Sequence, residues 1–366
     1  MICSKEFVLA VASLWIGAAS QAAGADFYAG KRLTILVNYA AGGPADIDAR
    51  VLAKHLGRHI EGKPTMIVQN MDGAGGVVGI NYIGEVAPRD GSVVGQFTTG
   101  GWQYAIETKQ RKVDFRTYEF VALQASTSIY YARTDVKPGL KTAVDLGRAD
   151  GLIVGGLSVD SSKDLLLRLS LDLLGLKYKY VTSYRGTNGV RLALQQGEVN
   201  ITSESPPAYR GIVEPALVSK GDVIPLFYDP YWDGKVFTVP KEVADLPIVS
   251  FPELYKKIKG EAPKGELWEH YLTVIGLNGK MYRMLAFPPG APKEAIEALR
   301  MAVPKLAKDE EYAADSMKAF GYVPEWVEES GTAEWVRKTV QTSPEMKRFF
   351  ADYIARASRE GSTAKP

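Results

Sequence analysis

At 366 residues the chain is long enough for two lobes, and 46% hydrophobic against 23% charged residues is the balance of a globular protein with a sizeable core. Its 44 basic and 42 acidic residues leave a net charge of +2 without a basic block or an acidic tail, which argues against nucleic acid as a partner. A single cysteine, Cys3, rules out a disulfide framework within the chain.

Residues 7–19, FVLAVASLWIGAA, form an apolar run too short to span a bilayer comfortably, followed by the small residues of SQAAGAD. Residues 1–25 therefore read as a signal peptide that would take Cys3 with it. Lys5 is offset by Glu6, which keeps a membrane-anchoring or disordered N-terminus as the alternative. From residue 33 the pattern is strand, then helix, repeated. LTILVNYA is a buried strand, GGP interrupts it, and Ile47, Val51, Leu52, Leu56 and Ile60 mark one face of a helix. TMIVQN (65–70), a glycine loop and a helix to about Val86 follow, then the strand SVVGQFTT (92–99). A second set begins near residue 118 and includes the helix SSKDLLLRLSLDLLG, with Ser161 or Ser162 as its N-cap. VIPLFYD (223–229) reads as the return of the chain to the first lobe, residues 230–282 as irregular, and the helices after 290 as interrupted at Pro304. Such alternation predicts an α/β protein with mostly parallel sheets covered by helices.

Catalytic readings find little footing. Gly73, Gly75 and Gly79 approximate a dinucleotide fingerprint, but the next strand ends GQFTT and lacks the acid that would hold a ribose. His55 and His59 stand four apart on a helix without the glutamate of a metalloprotease motif, and there is no G-x-S-x-G elbow. No cofactor, metal or catalytic residue is expected. What stands out is a pair of loops, AAGGPAD (40–46) and DGAGGVV (72–78), each closing a strand and opening a helix. They are either tight βα turns or two helix N-termini aimed at one anion, such as a carboxylate held without any Arg or Lys.

The stretch from FYAGKRLTILVNYAAGGPADIDAR through NMDGAGGVVG to APRDG closely resembles the start of the Bug-type solute receptors of tripartite tricarboxylate transporters. SYRGTNGVRLALQQGEVNITSES and FPPGAPKEAIEALRMAV resemble later segments of that family. The resemblance implies a two-lobed periplasmic-binding-protein-like (type II) fold with a ligand cleft between the lobes. It also implies a periplasmic, monomeric receptor that passes a small carboxylate to transmembrane permease subunits. Expected lobe bounds are 26–102 for the first part of lobe 1, 103–222 for lobe 2, and 223–350 for the return to lobe 1 with C-terminal helices. Residues 351–366 would form a disordered tail, and the hinge would lie near 100–104 and 222–228.

Carried over from the family, the ligand-binding residues are Ala41, Gly42, Gly43, Ala45 and Asp46 in the first loop, and Gly73, Ala74, Gly75 and Gly76 in the second. Thr98, Thr99, Ser161, Ser162, Glu204 and Ser205 complete the set. Three departures accompany them: Ala45 stands where many relatives have Thr or an aromatic, Pro44 removes a backbone donor, and Asp72 replaces a proline. Asp72 is either a solvated loop acid or a selector for ligands that also carry a cationic or amide group. Trp102 and Tyr104 are either pocket walls or hinge packing. A signalling receptor and an exported enzyme on the same scaffold are the alternative functions.

Overall fold

The computed structural model describes residues 27–98, 112–327 and 342–360, together with 334, 338, 362 and 363. The signal-peptide reading of residues 1–25, Thr99, Trp102, Tyr104 and the hinge expected at 100–104 lie outside the described residues.

The first lobe is built on a six-stranded sheet. It holds β1 (Arg32–Val37), β2 (Thr65–Asn70), β3 (Val93–Thr98), β4 (Glu119–Gln124), β12 (Arg283–Phe287) and the short β13 (Trp326–Val327), in the order β13-β4-β12-β3-β1-β2. β1 runs parallel to both β2 and β3, whereas β12 is antiparallel to β3 and β4. Connections through α1 (Pro44–Leu56) and α2 (Val77–Glu85) are the crossovers a parallel sheet requires. Both faces of the sheet are buried. Ala49, Leu52 and Leu56 of α1 join Leu33 and Ile35 on one side, while Ile80 and Ile83 of α2 join Leu36 and Phe97 on the other.

The second lobe repeats this plan. Its sheet has the order β14-β7-β6-β8-β5-β9, with β5 (Ile129–Arg133), β6 (Leu152–Gly155), β7 (Tyr178–Thr182), β8 (Ile201–Glu204), β9 (Val223–Tyr228) and β14 (Ser362–Thr363). β6 is parallel to β7 and β8, and β5 is antiparallel to β8 and β9. Helices α3 (Ser162–Leu173) and α4 (Gly186–Gln195) cover opposite faces, the leucines of α3 within one core and Val190 and Leu194 of α4 within the other.

The expected lobe bounds need correction. β4 belongs to the first sheet and β9 to the second, so the chain crosses at 125–128 and again between α6 (Glu266–Lys280) and β12. β9 is a strand of the second sheet and not the hinge expected at 222–228. An apolar run such as Phe120–Leu123 fits either sheet equally well; pairing partners, not pattern, assign it. The crossing segments are tied together: Ser126 N donates to Gly279 O (3.1 Å), Thr127 Oγ1 to Asp229 O (2.5 Å) and Asp229 N to Ser128 O (3.3 Å).

Residues 230–282 are likewise more ordered than expected. A β10–β11 hairpin (Tyr231–Trp232 with Phe237–Thr238) leads to α5 (Phe251–Lys259) and α6, and α6 packs on α3. Trp268 stacks on Tyr271 at 5.0 Å, and Tyr271 donates to buried Asp229 (2.8 Å), which Tyr130 also contacts at 2.6 Å. Burial pushes the Asp229 carboxyl up to about 7 against the pull of the two tyrosines. α7 (Lys293–Leu306) runs through Pro304, which falls in its last turn, and Asp309 caps α8 (Glu310–Phe320) by accepting from Glu311 N and Tyr312 N. The expected tail at 351–366 is instead the second half of α9 (Pro344–Glu360) up to residue 360. Phe350, Tyr353 and Ala357 bury against the second lobe, so apolar spacing holds the helix there in spite of its charged composition.

Candidate functional site

The parallel strands of both sheets present their C-terminal ends to one cleft, the place where open α/β sheets bind ligands. A cavity of about 730 Å³ occupies it, lined from the first lobe by residues 39–41, 43–45, 72–76, Thr98, Tyr282 and Arg283. The second lobe contributes Leu157, Ser158, Ser161, Lys163, residues 183–188 and Ser205.

In the first loop Gly42 has φ 77°, and its N–H donates to Asp46 Oδ2 at 2.8 Å. Arg50 Nε donates to the same oxygen at 3.0 Å. Burial works to raise the Asp46 carboxyl, but the hydrogen bonds from Arg50 and Gly42 outweigh it and hold it below the usual carboxylate range. The first closed turn of α1 is Ile47 N to Gly43 O (3.0 Å), which leaves the amides of Ala45 and Asp46 ahead of it. Pro44 at N1 removes no donor the helix would have used.

The second loop has four consecutive residues at positive φ: Gly73 (133°), Ala74 (47°), Gly75 (62°) and Gly76 (97°). Positive φ is a conformation glycine adopts freely, which accounts for three glycines in this run. Gly76 N donates to Gly73 O (2.9 Å), so the amides of Ala74 and Gly75 again precede the first closed turn. The carbonyls are anchored from behind: Tyr39 OH donates to Gly75 O (3.0 Å) and Asn38 Nδ2 to Gly76 O (3.3 Å). A Cβ on Gly76 would lie 2.4 Å from Asn38 Nδ2, so glycine is required there by both conformation and space. Asn38 Oδ1 also accepts from Thr98 N (3.0 Å), which ties the end of β3 to both loops.

The second lobe offers two more helix N-termini. Ser161 precedes α3 without a side-chain cap, and Arg185 precedes α4 in the same way. The loop before α3 is braced by Asp164, which accepts from Leu157 N (2.6 Å) and Ser158 N (3.0 Å) and lies 2.8 Å from Tyr180 OH. Burial raises its carboxyl to about 6 in spite of those bonds. Ser205 Oγ and Thr187 Oγ1 are buried, without a hydrogen-bond partner among the described residues, and both residues line the cavity.

Of the residues expected at the site, Ala41, Gly43, Ala45, Asp72, Gly73, Ala74, Gly75, Gly76, Thr98, Ser161 and Ser205 line this cavity. Gly42, Asp46, Ser162 and Glu204 do not, and each has a supporting contact instead. Asp46 holds Gly42, and Ser162 Oγ donates to Asn278 Oδ1 (2.8 Å). Glu204 pairs with Arg191 Nη1 (2.6 Å), whose other arm reaches Asn188 on the cavity wall. The anion pocket free of Arg and Lys is also corrected, because Lys163, Arg185 and Arg283 line it. Arg283, fully buried, lies 3.5 Å from Asp48 and donates to Gln124 Oε1 (2.9 Å). Burial pushes the Asp48 carboxyl up against the opposing Arg283 guanidinium. Lys163 and Arg185 stand inside the quoted SSKD and SYRG segments, where a cation beside a helix start was the available signal. Arg283 carried none, since nothing in its strand marks it as facing a cleft.

No family model matches the chain, and no curated protein matches it in sequence. Solved structures do resemble it. The periplasmic binding protein BugD superposes with a TM-score of 0.65 at 18% identity, over 92% of this chain and 100% of that one. MatC from Rhodopseudomonas palustris with bound malate gives 0.58 at 19%, over 90% and 98%. Rpa4515 from R. palustris with adipate gives 0.60 at 17%, over 91% and 99%. The chain thus has the two-lobed fold of periplasmic binding proteins.

Proposed function

We propose that the protein is an extracytoplasmic solute receptor that closes its two lobes on a small carboxylate and delivers it to the membrane subunits of a tripartite transporter. The observation that carries this reading is the convergence of four helix starts on one cavity: Gly43–Ala45, Gly73–Gly76, Ser161 and Arg185–Asn188. Each helix start carries unpaired N–H groups and a partial positive charge. Malate and adipate in two proteins of the same fold support an acid as the ligand. Among the described residues the lining contains no His or Cys and no group of acids placed to hold a metal, so binding is favoured over catalysis. Closure needs contacts that form only when both walls meet the ligand. Export is supported by the apolar stretch at 7–19, and delivery to a permease by the sequence resemblance.

A thermal-shift screen against mono-, di- and tricarboxylates, aromatic acids, amino acids and neutral sugars tests the binding claim. A carboxylate at a hundred times its Kd should stabilise the protein by about 2.7 kcal/mol. A response to sugars or cations alone would overturn the reading. Delivery is tested by receptor-dependent uptake in vesicles carrying the small and large permease subunits; uptake indifferent to the receptor would point to signalling.

A further inference from the structure

Among the described residues the two sheets have four outer edges, and three of them are blunted. β13 and β14 are each two residues long. β9 carries Pro225 and a register shift beside it, and Tyr228 N donates to Val249 O (3.1 Å) across its outer side. Short strands, proline, irregular pairing and cover are the devices by which a sheet avoids pairing with another chain. β2 has none of them. It runs six residues in unbroken register with β1, and its sequence TMIVQN holds no charge, proline or glycine. Thr65 N and Met71 N donate to Lys31 O and Val37 O, on the β1 side. Strand alternation therefore turns the N–H and C=O groups of Met66, Val68 and Asn70 outward, and no described residue bonds to them. Ile67 is 38% exposed, and Thr65 and Gln69 are exposed on the same face of the strand.

We propose that β2 is the docking edge for a second copy of this chain, the two strands pairing antiparallel about a two-fold axis at Val68 and joining the first-lobe sheets into one. In that register Val68 faces its own counterpart and Met66 faces Asn70 of the partner subunit. All three outward residues of each strand then exchange both backbone bonds. An axis one residue earlier, at Ile67, would set Asn70 against Pro64, which has no N–H to give. With the axis at Val68, Ile67 faces Gln69 of the partner subunit, and no like charges stand opposite one another along the strands. Lys63, exposed just before the strand, comes beside Asp72 of the partner subunit, exposed just after it. Two-fold symmetry repeats that attraction at the other end. Where the family resemblance implies a monomer, this edge implies a dimer.

Sedimentation velocity from micromolar to submillimolar protein tests this, with hydrogen exchange followed over the same series. The wild-type protein should pass reversibly from monomer to dimer and stop there, because pairing consumes the edge. The Met66, Val68 and Asn70 amides should become protected in step with the dimer. Two double variants on the exposed face test the register. Ile67→Lys with Gln69→Lys sets lysine opposite lysine twice and should weaken the dimer by about 10-fold or more. Ile67→Lys with Gln69→Glu sets lysine opposite glutamate and should keep the dimer within about threefold of the wild type. Because both variants carry Ile67→Lys, the second controls for any effect of that change on folding. A wild-type protein that stays monomeric throughout, or that grows beyond a dimer, would overturn the proposal. So would a dimer that the like-charged variant leaves intact, or one that both variants weaken equally.

Discussion

The two walls of the cleft are built in different ways from the same kind of element. The first lobe presents main chain: two loops whose glycines allow left-handed backbone, locked from behind by Asn38, Tyr39 and Asp46. The second lobe presents side chains at its helix starts, among them Ser158, Ser161, Lys163, Thr187, Asn188 and Ser205. Backbone amides accept any carboxylate, whereas side chains differ in charge, reach and hydrogen-bonding capacity. The first wall therefore suits capture of the acid group that all ligands would share. The second suits discrimination between them.

Gly75→Asp is the strongest test of that division. The residue has φ 62°, a conformation aspartate tolerates better than most side chains, so the fold should survive. Its carboxylate would stand where the ligand's is expected, and affinity for any carboxylate should fall by about 100-fold or more by calorimetry, roughly 2.8 kcal/mol. Unchanged affinity with a normal melting curve would show that the first wall does not hold the acid.

The difference between the walls also explains what was legible in the sequence. Glycine loops after strands leave a local signature, so Gly73–Gly76 and Gly43 with Ala45 were found and do line the cavity. The family resemblance brought in Asp46 as well, because a residue that braces a loop is indistinguishable in sequence from one that faces its ligand. On the second wall, function depends on where a strand end falls relative to the other lobe. Lys163 and Arg185 on that wall, like Arg283 on the first, are cations of the kind that usually cover surfaces, and only the meeting of two sheets places them in a cleft. The strand and helix pattern of the α/β fold was readable outside 230–282 and the C-terminal helix, yet lobe membership was not. β4 and β9 joined the opposite sheets from those expected, since long-range pairing leaves no periodic trace.

On the second wall the effects should be smaller and selective. Ser205 is 1% exposed, with its Oγ buried and unpartnered among the described residues. If the hydroxyl serves the ligand, Ser205→Ala should weaken the bound acid by about 3- to 10-fold, the range of one neutral hydrogen bond, and leave the unliganded melting temperature unchanged. A lowered melting temperature with unchanged affinity would instead make the hydroxyl structural and narrow the contrast between the walls.

The smallest effect is expected at Asp72, which with Arg283 adds a charged side chain to the first wall. Asp72 is exposed and lines the cavity beside Gly73. An exposed charge is strongly screened, so its repulsion of a bound carboxylate is modest and depends on salt. Asp72→Asn should therefore tighten simple carboxylates by about two- to fivefold at low ionic strength, and the gain should vanish in about 0.5 M salt. For a ligand that also carries an ammonium group the sign should reverse, because the same substitution removes an attraction. Measuring an amino acid and its deaminated analogue at two salt concentrations separates the cases. A loss of affinity for both would mean that the Asp72 side chain positions the loop itself, and that part of the first wall is, like the second, set by a side chain.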